Sequence, residues 1–266
     1  MGETDTAVRA VTSHADRIAA SELLAHIWGT SIEGTPMQPD LLASLSHAGG
    51  SVIGVWRGGA LVGVTVGVAG APRSRQLYSL IAAVLPTEAG SGLGRQLKLA
   101  QREWALERGV RRIVWTYDPL IRRNAHFNLN RLGAVVEQFI EDYYPPMMDT
   151  VNGGDLTDRF FVVWDIASEP VVVPRDWPYD DPQGTPMPMA LEAKEDRPIT
   201  RLGLDAPVVF AVVPRDIEAI RRADSRLAAE WRAASRESFR DLFRRGYRPT
   251  SMRADGCYVF EKGVDA

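Results

Sequence analysis

Cysteine and histidine are scarce in this sequence, which has one cysteine, Cys257, and four histidines among 266 residues. A single cysteine excludes an intrachain disulfide and a two-cysteine metal site, and the scattered histidines disfavour a zinc enzyme. We therefore expect no bound metal. Lysine is scarce as well, with three among the 31 basic residues. Together with abundant Ala, Gly, Pro and Asp, this composition is typical of a high-GC bacterial genome.

The sequence also lacks a surplus of positive charge and a long apolar run. Its formal net charge of -3 excludes general nucleic-acid binding and leaves room only for a local basic patch. No run of about 18 apolar residues is present, so we expect no membrane span. The first ten residues, MGETDTAVRA, are polar and lack the apolar core of a signal peptide. We therefore expect a cytoplasmic protein without nucleic-acid or membrane partners.

An apolar content of 45% is enough to form a core, and the chain length allows one large domain or two small ones. The hydrophobic pattern alternates between strands and helices and predicts the α/β (α+β) class. Predicted strands cover residues 7–11, 51–57, 60–69, 76–85, 112–117, 134–143 and 159–166, and predicted helices cover residues 16–28, 39–48, 93–108 and 124–132.

Residues 169–198 contain seven prolines and predict a surface connector without a helix or a long strand. Beyond it the pattern predicts a strand at 208–213, a long helix at 216–245 and a hairpin at 252–261. We therefore divide the chain into a first domain at 1–168, the connector, and a β-α-β-β extension at 199–266. The extension has the same element order as residues 112–166, so it forms either an incomplete second half of the same fold or a surface for a homodimer.

The most informative segment is the glycine-rich turn Ala89-Gly-Ser-Gly-Leu-Gly94, between a buried strand and a helix. Amides at a helix N-terminus have no helical partner, and glycine lets an anion approach them closely. The turn matches neither the Walker motif, nor the dinucleotide pattern GxGxxG, nor the hydrolase pattern GxSxG. It predicts a phosphate or pyrophosphate site, with a helix cap that binds no ligand as the alternative.

The order of motifs around this turn resembles the GNAT acyltransferase superfamily over residues 8–166. The motifs are Val84-Leu85-Pro86 before Gly92-x-Gly94, a following strand, and an Asn-Ala helix that ends in Leu132-Gly133-Ala134. Thr116-Tyr-Asp-Pro-Leu, Tyr143-Tyr144 and the C-terminal Ala229-Glu-Trp-Arg are similar to a bacterial subfamily with a C-terminal extension, some of whose members look like amino-acid N-acyltransferases.

This resemblance implies a GNAT fold, with a central mixed, splayed β-sheet flanked by helices. In the family the glycine loop grips the pyrophosphate of acyl-CoA, and the pantetheine arm lies where the sheet opens. The resemblance implies acetyl-CoA as the default co-substrate, with succinyl-CoA or another short acyl-CoA as the alternative. It assigns the acyl-CoA contacts to Ala83, Val84, Gly90, Gly92, Leu93, Gly94, Arg95 and Asn124.

The sequence departs from the family pattern at Ala89, where Arg or Gln usually begins the loop, and at Leu129, where the thiolate-protonating tyrosine usually stands. Acyl transfer to an amine needs a base for the amine and an acid for the thiolate. The candidates for these roles are Asp118, Glu141, Tyr143 and Tyr144. Their alternative roles are an Asp-Pro turn, a solvated strand end and, for the tyrosines, sheet packing.

Three further residues are candidates for binding the acceptor. Glu33 lies in the loop after the first helix, Arg123 can clamp a carboxylate, and Asn128 can donate hydrogen bonds. Each is alternatively a solvated surface residue. We predict an acyl-CoA-dependent N-acyltransferase that acts on a small primary amine, such as an amino acid. The alternatives are a CoA-binding or ligand-sensing module without catalysis, and a scaffold that binds no CoA.

Overall fold

The computed structural model describes residues 5–168 and 187–263. The chain packs into two compact units, which we describe in turn. The first unit comprises Met1–Trp115, Asp149–Val151 and Asp165–Glu169; the second comprises Thr116–Met148, Asn152–Trp164 and Pro170–Ala266. This division differs from the three predicted segments, because the second unit contains part of the predicted first domain together with the extension.

The first unit is built on a sheet with helices on both faces. Its strands, in spatial order, are β1 (Thr6–Ala10), β2 (Ser51–Arg57), β3 (Ala60–Ala69), β4 (Gln76–Val84) and β5 (Arg112–Tyr117), whose last two residues belong to the second unit. Its helices are α1 (His14–Trp28), α2 (Pro39–His47) and α3 (Leu93–Leu106). The pairs β1–β2, β2–β3 and β3–β4 are antiparallel, and β5 is parallel to β4.

Apolar residues alternate along the strands, so each face of this sheet carries its own core. One core includes Leu24 of α1 and Leu42 of α2 with Val64 of β3. The other joins Leu93 and Leu97 of α3 to β2 and β3. The predicted helices and strands of this region are therefore confirmed, with ends that differ by at most a few residues.

Strand β4 contains a β-bulge that separates it from β5. Val66 pairs with Ile81 and Gly67 pairs with Ser79, so the intervening Leu80 has no partner on β3. The register between β4 and β5 covers only residues 76–78 and 112–114, although β4 continues to residue 84. A bulge bends the strand that carries it. The sheet is therefore splayed after Tyr78, as the predicted fold requires.

The second unit contains the end of β5, then β6 (Val135–Ile140) and β7 (Arg159–Asp165), in the spatial order β5-β7-β6. In the described residues the sheet that begins with β1 thus has seven strands, mixed in direction, and the predicted fold class is confirmed. Between β5 and β6 lies α4 (Arg122–Ala125), which continues as a π-helix over His126–Arg131.

A further sheet of the second unit comes from the end of the predicted connector and from the extension. The elements of this region are β8 (Met189–Lys194), β9 (Arg197–Thr200), β10 (Val208–Val212), α5 (Ile217–Ala223), α6 (Ser225–Arg244), β11 (Tyr247–Met252) and β12 (Cys257–Lys262). The spatial order of the strands is β11-β12-β10-β8-β9. Aromatic rings form the core: Phe160 of β7 contacts Tyr117, Phe139, Phe239, Phe243 and Tyr258.

The structure differs from the prediction at three places after residue 168. The predicted connector contains the six-residue strand β8 and the start of β9 in its described part, whereas residues 169–186 lie outside the described residues. The predicted helix at 216–245 is two helices, because Asp224 has extended backbone and its carboxylate caps α6 by accepting from the Leu227 amide at 2.9 Å. The first strand of the predicted hairpin begins at Tyr247 rather than Met252.

The extension repeats an arrangement of strands and helices that is found earlier in the chain. In both β5-α4-β6-β7 and β10-α5-α6-β11-β12, a helical segment separates the first strand from an antiparallel pair. In both, the last strand lies between the other two, giving the orders β5-β7-β6 and β10-β12-β11. In both arrangements the first strand also pairs in parallel with a strand that comes earlier in the chain, β5 with β4 and β10 with β8. This correspondence supports the hypothesis that the extension is an incomplete second half of the same fold.

Candidate functional site

The glycine-rich turn of the first unit connects β4 to α3 and has an open surface. Gly90 and Gly92 have φ angles of 79° and 86°, in the left-handed region that favours glycine. Gly92 is the N-cap residue of α3. A Cβ atom added to either glycine would meet no atom within 4 Å. The backbone of the turn is therefore accessible to a ligand.

Four amides of this turn donate no hydrogen bond to any described residue: those of Gly90, Gly92, Leu93 and Gly94. The next two amides, of Arg95 and Gln96, both donate to the Gly92 carbonyl at 3.0 and 3.1 Å. Unpaired amides at the N-terminus of a helix of 14 residues bind anions, because the helix dipole adds a partial positive charge there.

Charged residues at the turn fit an anionic ligand. Arg95 is exposed in the first turn of α3. Glu88 is the carboxylate nearest in sequence, and it is ion-paired with Arg57. Leu93 has a different role from its neighbours, because its side chain is buried in the core with Ile53 and only its amide can reach a ligand.

Ala83 and Val84 end β4 just before this turn, in the part of the strand beyond its register with β5. Ala83 pairs with Val64 on β3 and Val84 pairs with Gly63. Seven of the eight predicted acyl-CoA contacts thus lie on one continuous segment of the first unit, from residue 83 to residue 95. The eighth, Asn124, is half-buried on α4 in the second unit.

Asp118, a predicted base, lies in an ion-pair cluster of the second unit. Its carboxylate accepts from Arg221 at 2.6 Å and from Arg232 at 2.8 Å, and its other oxygen accepts from the Leu120 amide at 3.0 Å. Burial raises the pKa of Asp118, but Arg232 and Arg221 outweigh burial and hold this pKa well below its usual range. A carboxylate held in this way is a weak base, so the geometry argues against Asp118 as the catalytic base.

Glu141 is likewise held by an arginine. Arg240 donates to both of its carboxylate oxygens, at 2.7 and 2.5 Å. Hydrogen bonding from Arg240 lowers the pKa of Glu141. Glu141, whose alternative role was a solvated strand end, therefore forms an ion pair. Its carboxylate is poorly suited to accept a proton from an amine.

The arginines of these pairs come from the extension, and the sequence indicated no role for them, although Arg232 ends the motif Ala229-Glu-Trp-Arg. Arg232, Arg236 and Arg240 are spaced four residues apart, and on α6 this spacing places them on one face. They pair with carboxylates from the loops and strand ends of the same unit: Asp118, Glu141, Asp142, Asp155 and Asp158. The four-residue spacing of arginines on α6, next to the buried Phe239 on the same helix, was the available signal.

The two predicted acids, Tyr143 and Tyr144, are adjacent after β6. Tyr143 is exposed, and its ring packs edge-on against that of Tyr144 with centroids 4.6 Å apart. The Tyr144 hydroxyl lies 3.2 Å from Thr116 Oγ1, at the end of β5. Both remain candidates for proton donation, because a phenol can donate a proton to a thiolate.

The three predicted acceptor-binding residues have different surroundings. Arg123 donates to Glu218 Oε1 at 2.7 Å, so its guanidinium group already has a carboxylate partner. Asn128 is buried in the π-helix, in contrast to the expected solvated position, and Glu33 is exposed in a loop of the first unit. Leu129, which follows Asn128, is 1% exposed and packs as a core residue.

In residues 5–168 and 187–263, no group of three His, Cys, Asp or Glu side chains is arranged to hold a metal ion. Within the same ranges, no helix combines the length and the apolar content that crossing a bilayer requires.

Residues 19–133 match the sequence model of the Acetyltransferase (GNAT) family. Solved structures share the fold at low sequence identity. An N-acetyltransferase from Staphylococcus aureus matches with 13% identity and a TM-score of 0.51, over 61% of this chain and 99% of that one. A Salmonella typhimurium protein assigned as an acetyltransferase, solved with its cofactor acetyl-CoA, matches with 18% identity and a TM-score of 0.50, over 62% and 95%. No curated protein matches this chain.

Proposed function

Because residues 19–133 match the sequence model of the Acetyltransferase (GNAT) family, we propose that this chain is an acyl-CoA-dependent N-acyltransferase that acts on a small primary amine. Acetyl-CoA is the default donor, and succinyl-CoA or another short acyl-CoA is the alternative. The observation that carries the proposal is the open glycine turn, in which four unpaired amides follow directly on the splayed end of β4.

In this proposal the pyrophosphate of CoA binds to the amides of Gly90, Gly92, Leu93 and Gly94. Arg95 adds a positive charge and compensates for Ala89, where the family usually has a longer polar residue. The pantetheine arm lies along the splayed part of β4. The backbone at Ala83 and Val84 then stabilises the thioester oxygen as it becomes negatively charged.

The amine attacks the thioester directly, forming the new C–N bond as the C–S bond breaks. Cys257 is not a nucleophile here, because burial raises the pKa of its thiol to about 12. Tyr143 or Tyr144 donates a proton to the departing thiolate, and the proton that the attacking nitrogen loses returns to the phenolate through water. Since Asp118 and Glu141 are held by arginines, we propose that the amine is taken up in its neutral form, so the rate rises with pH through the pKa of the substrate amine.

The test is calorimetric titration of the purified protein with acetyl-CoA, succinyl-CoA and CoA, followed by thiol-release assays over a panel of amines and amino acids. We expect one acyl-CoA to bind and at least one amine to release free CoA. Binding without thiol release for any amine would favour the non-catalytic CoA-binding module. Absence of binding at millimolar concentration would contradict the proposal altogether.

A further inference from the structure

Lys98 of α3 is buried in the first unit without a carboxylate partner in its described surroundings. Its side chain is 3% exposed, and its Nζ donates to Ser79 Oγ at 2.8 Å and to Gln101 Oε1 at 3.3 Å. The same nitrogen lies 3.9 Å from the centroid of the Trp115 ring. A buried ammonium group with only neutral partners is costly. The chain has only three lysines among its 31 basic residues, so we looked for a structural role of Lys98 at this position.

The contacts of Lys98 belong to a buried polar network that crosses the sheet. Ser79 Oγ donates to Gln101 Oε1 at 3.0 Å, and Gln101 Nε2 donates to Ser51 Oγ at 3.2 Å. Lys98 and Gln101 are three residues apart on α3, so both side chains face the same strands. The network therefore ties α3 to β2 and to β4 at a single level of the sheet.

That level is the point at which β4 and β5 separate. Tyr78 and Val114 form the last pair of their register. Ser79 follows Tyr78 and directly precedes the bulged Leu80, and Trp115 follows Val114. Lys98 thus contacts the first residue of each strand beyond the pairing, by a hydrogen bond on β4 and by a cation–π contact on β5.

We propose that Lys98 is a positioning residue that holds β4 and β5 apart at the bulge and keeps open the gap that receives the pantetheine arm of acyl-CoA. This inference rests on the proposed function, because the gap matters only for a ligand that carries such an arm. A lysine suits the position because one compact amino group, protonated or neutral, can donate to Ser79 Oγ and lie over the Trp115 ring at the same time. A methionine of similar length fills the space but bonds to neither.

The test distinguishes binding of the pantetheine arm from binding of the phosphates. Acetyl-CoA and 3′-phosphoadenosine 5′-diphosphate, which has the phosphates but no pantetheine arm, are titrated into the wild type and the Lys98→Met and Ser79→Ala variants. For Lys98→Met we expect acetyl-CoA to bind about tenfold more weakly, the usual scale of a lost buried polar contact, while the armless nucleotide binds unchanged. Ser79→Ala, a milder change, should shift the ratio of the two affinities in the same direction.

The control is Ala105→Gly, a buried position two turns after Lys98 on α3, which removes a methyl group and leaves the hydrogen bonds of Lys98 in place. It lowers helix stability but should leave the ratio of the two affinities unchanged. Equal weakening of both ligands by Lys98→Met, or no weakening of either, would overturn the positioning role. If the wild type binds neither ligand, the proposed function itself fails, which is a different result.

Discussion

Arg232 of α6 donates to the carboxylate of Asp118 at 2.8 Å, although 114 residues separate them in the sequence. The two side chains are 1% and 4% exposed, so water screens their attraction very little. Arg221 and Asp155 complete the cluster. The extension therefore supplies the positive charge that neutralises a buried carboxylate at the end of β5, within the same compact unit.

Replacing Asp118 by asparagine should destabilise the protein. The variant leaves two buried guanidinium groups with Asp155 as their remaining shared carboxylate, and breaking a buried pair in this way costs about 3 kcal/mol. Urea unfolding measures the loss. The matched change Asp142→Asn, at an exposed partner of Arg236, should cost less than about 1 kcal/mol. A stable Asp118→Asn variant without thiol release would instead restore Asp118 as the catalytic base.

Gly94→Glu should weaken acetyl-CoA binding by electrostatics. Gly94 does not have a positive φ angle, and a Cβ there would meet only Val84, at 3.9 Å, so both Glu and Gln fit without strain. The carboxylate repels the phosphates, and we expect Gly94→Glu to bind about tenfold more weakly than Gly94→Gln by calorimetry. Both variants should be at least as stable as the wild type, because either residue is a better helix former than glycine. Equal affinities would place the phosphates elsewhere.

Tyr144→Phe removes the hydroxyl group near Thr116 without changing the ring. If this phenol protonates the leaving thiolate, kcat for thiol release should fall by about a hundredfold, the lower end for general acid catalysis, while acetyl-CoA affinity stays the same. Tyr143→Phe is the matched control at the neighbouring ring. A larger loss for Tyr143→Phe would assign the acid to Tyr143, and unchanged kcat in both would exclude the tyrosines.

The buried Lys98 should make stability depend on pH. Burial lowers the pKa of Lys98 to about 7, whereas in the unfolded chain a lysine titrates near its ordinary value of about 10.4. Between these values the unfolded state binds more protons, so the free energy of unfolding rises with pH. Relative to Lys98→Met, the wild type should gain up to about 1.4 kcal/mol per pH unit between pH 7 and pH 10.

Urea unfolding of both proteins across that range measures the difference. The groups that face the ammonium, Ser79, Gln101 and Trp115, do not titrate there, so the difference between the two proteins isolates Lys98. A difference that stays constant with pH would show that Lys98 remains charged in the folded protein.

Gly256→Ala should be strongly destabilising, because Arg122 packs directly on this glycine. Arg122 donates to the carbonyls of Val213, at 2.7 Å, and Asp255, at 2.8 Å, and a Cβ on Gly256 would overlap its guanidinium group. Gly256 also has a φ of 89°. We expect a loss of about 3 kcal/mol, at the upper end for single substitutions.

Gly246→Ala is the control, since its φ of 84° is similar and a Cβ there meets nothing within 4 Å. It should cost only the backbone strain, about 1 kcal/mol. Urea unfolding compares the two variants, and equal losses would mean that the contact with Arg122 contributes nothing.

The local pattern of apolar and turn residues predicted most helices and strands of the first unit. Strands β2, β3 and β5 have the predicted bounds, because β-branched and apolar residues run without interruption between turns such as Gly58-Gly59. The glycine turn could also be recognised, since its glycines and the following helix are adjacent in sequence. By contrast, β8 lies after a proline-rich stretch that favours a loop, and its pairing with β9 and β10 makes it a strand.

The sequence by itself determined most elements of the first unit, the fold class and the segment from Ala83 to Arg95, because each depends on residues that are neighbours along the chain. It could not determine the state of Asp118 or Glu141, whose arginine partners lie 114 and 99 residues away. Only the tertiary structure decided that these carboxylates form ion pairs, because a carboxyl group takes its pKa from the charges and the burial around it. The same holds for Lys98, whose low pKa comes from the sheet that α3 covers.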